Sequence, residues 1–135
     1  DIVSSNRKIL SLLDQVTPLE EKRIDNIKNR IKHSLEKIND KAEYDPNRFE
    51  QELIFYLEKF DINEEKVRLR NHCSYFADTI ENHEFPGKKL GFISQEMGRE
   101  INTLGSKAND FDMQQIVVQM KEELDKIKEQ VLNIV

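Results

Sequence analysis

The sequence predicts an all-α protein, an antiparallel bundle of about five or six helices. Three observations carry this. Apolar residues recur at spacings of three and four along nearly the whole chain, the period of a helix with one buried stripe. Only 4 Gly, 3 Pro and no Trp punctuate it, too little turn chemistry for the many short strands of a sandwich or barrel. Charged residues make up 35% against 37% hydrophobic, the balance of a thin core under a heavily charged surface. At 135 residues the chain is read as a single helical domain over 1–135.

The elements follow in order. Ile9, Leu12, Leu13 and Val16 mark a first helix ending near Gln15. Thr17-Pro18 reads as a cap followed by a proline at the first helical position, where its missing N–H costs nothing. A second, long helix follows, with its seam along Leu19, Ile24, Ile27, Ile31, Leu35 and Ile38. The periodicity breaks over Asn39–Glu43, and Asp45-Pro46 repeats the cap-plus-proline signal before Phe49, Leu53, Tyr56, Leu57 and Phe60. Asp61 with Glu64 resembles a capping box and opens a helix carrying Leu69, Cys73, Phe76 and Ile80 to about Asn82. After Phe85-Pro86-Gly87 a fifth helix buries Leu90, Ile93, Met97, Ile101 and Leu104, with Gly105 expected as its C-cap. Asn109 or Asp110 caps the last, coiled-coil-like helix, whose seam is Met113, Ile116, Met120, Leu124, Ile127, Val131 and Ile134. Phe49, Tyr56, Phe60 and Phe76 fall on apolar faces and are read as core.

Composition narrows the function classes. The net charge of −5 supplies no global positive field, so any nucleic-acid contact must be local. Cys73 is the one cysteine, which excludes an internal disulfide and a thiolate zinc site and points to a reducing, cytoplasmic compartment. No apolar run approaches the ~20 residues of a membrane span. The chain starts at Asp1 without an initiator Met and is expected to be a piece of a longer protein. No P-loop, dinucleotide fingerprint, zinc-protease helix or RNA-recognition sheet is present.

Three clusters carry possible chemistry. Glu96 and Glu100 stand at i and i+4 on the fifth helix, where like charges repel by a few tenths of a kcal/mol. A Mn²⁺ or Mg²⁺ ion would turn that repulsion into ligation, whereas the plain alternative has both facing water or pairing with Arg99 and lysines. On the fourth helix Glu65, Arg68 and His72 share a stripe in an otherwise basic stretch that includes Arg70. Facing the paired carboxylates, this stripe suits phosphodiester chemistry: arginine holds phosphate, histidine shuttles a proton or binds metal. The alternative is an interhelical ion network that only orients the helices. His33 and His83 lack such company and are read as surface or turn residues. Ser106 and Lys107, just before the last helix, read either as part of a cap or as a phosphate seat at a helix N-terminus.

The runs Glu64–His72, Pro86–Leu90, Gln95–Lys107 and Lys128–Ile134 resemble the C-terminal part of the YicC/YloC family, closely from Asp45 to Val135 and helix for helix before that. The resemblance implies a bacterial cytoplasmic endoribonuclease, dependent on a divalent cation and assembled as a homo-oligomer, long labelled a stress-induced protein. Family members carry a further N-terminal half. The family's characteristic positions fall on Arg68, Arg70, His72, Gly87, Lys89, Gln95, Glu96, Arg99, Glu100, Asn102, Thr103, Ser106 and Lys107. The sequence departs from the family at Gly91 and Gly98, where Asp and Asn are usual, and an interior glycine costs a helix about 1 kcal/mol.

Two functions are then in play. In the first, Glu96, Glu100 and His72 hold the Mn²⁺ or Mg²⁺ ion and form the catalytic group, while Arg68, Arg70, Lys89, Arg99, Asn102, Ser106 and Lys107 bind RNA. No DNA or membrane partner is expected. In the second, the chain is a helical oligomerisation module whose long seams, Ile24–Leu35 or Leu124–Val131, join copies while activity depends on a half not present here.

Overall fold

The computed structural model describes residues 1–38, 46–82, 84–108 and 110–134. The expected break at Asn39–Glu43, the Asp45 cap, His83, the Asn109 alternative and the side chain of Ile38 lie outside what is described. The described residues form α-helices joined by short connections: α1 (Ile2–Ile38), α2 (Pro46–Lys59), α3 (Asn63–Asn82), α4 (Gly87–Lys107) and α5 (Phe111–Leu132).

The main departure from the sequence reading is at Thr17-Pro18. The two helices expected on either side of it are one, and Pro18 lies inside α1. Proline's fixed φ is helical, so it forfeits only the N–H bond to the carbonyl four residues back and crowds that turn, at a cost of about 3 kcal/mol. The apolar stripe resumes at once with Leu19, so the helix continues. The chain divides into two compact units at the same place, one of Asp1–Val16 with Ile62–Val135 and one of Thr17–Asp61.

The larger unit is built on α3, α4 and α5, each antiparallel to the next. Glu65 sits opposite Lys107, Arg68 opposite Glu100 and Tyr75 opposite Lys89 along α3 and α4. The core is formed by Leu69, Cys73 and Phe76 of α3, Leu90, Met97, Ile101 and Leu104 of α4, and Met113, Met120 and Ile127 of α5, all essentially sealed from solvent. The opening turns of α1 add Ile9, Leu12, Leu13 and Val16. They are tied down by Asn6, whose Nδ2 donates to the Cys73 carbonyl at 2.9 Å, and by an Arg70–Asp14 ion pair at 2.7 Å. Leu124, Ile127 and Val131, offered as a seam between copies, are buried within the chain itself, as are Ile31 and Leu35.

Two glycines set the distance between α4 and α5. A Cβ on Gly98 would stand 3.2 Å from Leu124 Cδ2, and one on Gly105 would stand 3.1 Å from Val117 Cγ1. They are seven residues apart, hence on one face. Gly105 is therefore not the expected C-cap: α4 runs through it to Lys107, and no described glycine has positive φ. Asp110 is the N-cap of α5, its side chain accepting from the Met113 N–H at 3.3 Å. Ile134, expected at the end of the α5 seam, lies beyond the helix and is 41% exposed.

The smaller unit contains the rest of α1, with Ile31 and Leu35 buried, and α2, which has no buried residue. The expected core aromatics Phe49, Tyr56 and Phe60 are only half-buried there, unlike Phe76 in the larger unit. The Tyr56 and Phe60 rings stack at 6.0 Å, and the Arg23 guanidinium lies 5.3 Å from the Phe60 centroid. A cation over a ring face lets an aromatic side chain stay partly wet without loss of its packing partner. No described helix is long and apolar enough to cross a membrane.

Candidate nucleic-acid interface

The candidate residues separate into two groups, one gathered around two buried carboxylates between α3 and α4 and one turned outward. Glu65 and Glu100 are 4% and 5% exposed. A carboxylate removed from water must find a cation and hydrogen-bond donors or give up its charge. Arg68 supplies both helices: its Nε lies 3.1 Å from each Glu100 oxygen, its Nη1 donates to Glu64 Oε2 at 3.2 Å, and its Nη2 is 3.6 Å from Glu65 Oε1. Lys107 Nζ donates to the same Glu65 oxygen at 2.9 Å. Its bond to Glu100, then that to Glu64, holds the Arg68 guanidinium above its already high ordinary pKa, so it stays charged. The network is the plain alternative raised for the Glu65–Arg68–His72 stripe. It clamps α3 to α4, and its three carboxylates, Glu64, Glu65 and Glu100, outnumber its two cations, Arg68 and Lys107.

Other expected contacts are also engaged. Arg70 is paired with Asp14. The junction before α5 is closed as a cap: Asp110 places its own carboxylate at the helix N-terminus, and the Ser106 hydroxyl donates to the Asn102 carbonyl at 3.0 Å. The Gln114 amide bonds the Gly105 carbonyl at 2.7 Å and that of Ala108. A phosphate there would meet the Asp110 carboxylate rather than free N–H groups.

The trio expected to hold a cation is not assembled. Glu100 is buried against Arg68, while Glu96 is half-exposed and 3.7 Å from Arg99 of its own helix. His72 is half-exposed on α3, one turn beyond Arg68. Among the described residues no group of three His, Cys, Asp or Glu side chains is placed to hold a metal ion. As they stand, these residues do not fit a three-ligand metal centre.

The outward face of α4 is different. Lys88, Phe92, Gln95, Arg99, Asn102 and Ser106 follow one another at helical spacing and are all exposed. Two cations, hydrogen-bonding side chains and an aromatic ring share this stripe, and the half-exposed Glu96 lies at its edge, 3.7 Å from Arg99. The adjoining groove brings Lys89 Nζ to 4.9 Å from the Tyr75 ring centroid. The sequence reading named Arg99, Asn102, Ser106 and Lys89 as RNA-binding candidates and did not single out Phe92 or Tyr75. The signal was available for Phe92: it precedes Ile93 of the apolar seam by one residue, which places a large ring at a position the helical period assigns to solvent.

Residues 16–135 match the family described as "Endoribonuclease YicC-like, C-terminal". The chain belongs to this YicC-like family. Among curated relatives it is 42% identical over 99 residues to the probable endoribonuclease YicC of Clostridioides difficile (strain 630), covering 73% of this chain and 34% of that protein. It is 36% identical over 90 residues to the probable endoribonuclease YicC of Haemophilus influenzae, covering 67% of this chain and 31% of that one. The chain thus spans about a third of the length of the curated relatives it matches. In this YicC-like C-terminal domain the α3–α4 hairpin carries an ion network around the buried Glu65 and Glu100 and, on α4, an outward face with Lys88, Phe92 and Arg99 exposed.

Proposed function

We propose that this chain is the RNA-binding and catalytic C-terminal domain of a divalent-cation-dependent endoribonuclease. The family match across residues 16–135 carries the reading. The α4 stripe supports it, because Arg99 with the neighbouring Lys88 and Lys89 offers phosphate partners in a chain whose overall charge of −5 otherwise repels RNA. Arg68 and Lys107 act one layer back, holding the α3–α4 hairpin that presents this face, and Arg70 ties α3 to α1 through Asp14. His72, the half-exposed imidazole one turn along α3 from Arg68, is the residue assigned to proton transfer. Glu96 is the carboxylate of the expected set that solvent reaches, and Mg²⁺ commonly takes one or two carboxylates and completes its shell with water and substrate phosphate. Assembly into a homo-oligomer belongs to the same reading and is decided by sedimentation of the chain.

The test is incubation of a structured RNA with this chain and with the full-length C. difficile relative, each with Mn²⁺, with Mg²⁺ and with chelator. Cleavage that needs the cation and is lost in His72→Ala and Glu96→Ala, with helicity and sedimentation unchanged, is expected. A chain that neither binds nor cuts RNA while the relative does both would overturn the assignment.

A further inference from the structure

We propose that the outward face of α4 is a stacking surface for single-stranded RNA, with Phe92 and Tyr75 as base platforms and Lys88, Lys89 and Arg99 as phosphate partners; this rests on the RNA reading above. Phe92 is 62% exposed and Tyr75 45% exposed, although each stands on a helix whose other face is fully packed. Neither ring is needed for the core, which Phe76, Leu90, Met97 and Ile101 already fill. Lys89 links the two rings: it lies over Tyr75 at 4.9 Å and precedes Phe92 by three residues, the spacing of neighbours on a helix surface. Lys88 and Arg99 flank Phe92 one turn before and two turns after it.

An exposed ring between cations is the arrangement by which proteins hold unpaired strands, the ring taking a base face and the cations the backbone. Base faces are hidden within a duplex, so the surface selects single strands, loops and ends. Charge separates this occupant from a second copy of the chain. Lys88, Lys89 and Arg99 against the single carboxylate of Glu96 leave the patch net positive, so a two-fold contact would set like charge against like.

The experiment is fluorescence anisotropy of this chain with three labelled RNAs of equal length: a single strand, a duplex, and an abasic strand that keeps the phosphates but has no bases. The single strand is expected to bind tightest. Phe92→Ala should weaken it by about five- to a hundred-fold, the range one stacked base contributes, and Phe92→Trp should restore it. Abasic RNA should be indifferent to Phe92→Ala. Arg99→Ala should weaken both strands and lower the slope of log K against log salt by about 0.7. Circular dichroism controls for folding, and Phe92→Trp keeps the test decisive if the alanine variant loses structure. Single-strand binding unchanged by Phe92→Ala, or tighter binding of the duplex, overturns the stacking surface and leaves the RNA reading in place. A shift in sedimentation on Phe92→Ala without any change in RNA affinity identifies a contact between copies and also overturns it. No binding of any of the three RNAs overturns both.

Discussion

Replacing the interior glycines of α4 by alanine, one at a time, separates helix propensity from helix packing. Each replacement gains about 1 kcal/mol of intrinsic helix propensity, so any difference among the three sites reports what the new methyl group meets. At Gly91 it meets nothing within 4 Å. The full gain of about 1 kcal/mol is expected there, a rise of about 4 °C in Tm. At Gly98 the methyl stands 3.2 Å from Leu124 Cδ2 and 3.6 Å from Lys128 Nζ, both ends of flexible side chains. A shift of a few tenths of an ångström restores normal carbon–carbon separation, so gain and crowding nearly cancel, to within about 0.5 kcal/mol. At Gly105 the neighbour is Val117 Cγ1 at 3.1 Å. A valine in a helix has essentially one rotamer, so relief requires the two backbones to part. Overpacking of about 1–3 kcal/mol then outweighs the propensity gain, leaving a loss of about 1 kcal/mol. Urea unfolding followed by far-UV circular dichroism at constant m-value gives the three numbers. Val117→Ala in the Gly105→Ala background should recover about 1 kcal/mol of coupling in a double-mutant cycle. Equal stabilisation by Gly91→Ala and Gly105→Ala, or a cycle with no coupling, would refute the close approach of α4 and α5.

Three further outcomes follow from local chemistry. Asp110→Ala removes the acceptor for the Met113 N–H and should destabilise the chain by about 1 kcal/mol in the same urea assay, with Asp110→Asn retaining most of that. Burial alone would raise the pKa of Glu123, but hydrogen bonds from Lys126 and Ser5 and the charges of Lys126 and Lys8 outweigh it and hold it below the ordinary value. A carboxylate depressed in the folded state stabilises above its unfolded pKa and loses that contribution as pH falls through the folded one. Glu123→Gln should therefore lower stability at neutral pH and flatten its decline below about pH 5. Burial pushes the Cys73 thiol up to about 12, only partly opposed by Arg70, so a disulfide reagent at pH 8 should label it only after denaturant is added.

Most of the fold was legible because helical period and core coincide. Leu69, Cys73 and Phe76, the five apolar positions from Leu90 to Leu104, and Met113 to Val131 are buried as their spacing implies. The errors are at punctuation. Thr17-Pro18 carries a start signal that is locally sound, yet a proline whose φ suits a helix can be carried inside one when apolar contacts on both sides continue. Gly105 carries a stop signal, but glycine has two uses, and here it serves close approach to Val117 rather than a left-handed turn.

The candidate site was half legible, for a reason that lies in pairing rather than position. Spacing placed Glu65, Arg68 and Glu100 along facing stripes of α3 and α4, while Lys107 was read as part of the junction before α5. It did not show that the two carboxylates sink between the helices, where each must be met by a cation at about 3 Å. Arg68 and Lys107 meet that demand, so the charge of each is already partnered. One stripe further out Lys88 and Arg99 face no buried acid, and Arg99 has the half-exposed Glu96 3.7 Å away. The same logic locates the ring that spacing alone passed over: Phe92 is conspicuous only after the core is seen to be complete without it. A large apolar side chain that the core does not use, set between Lys88 and Arg99, is where a physical reading expects the surface to bind something.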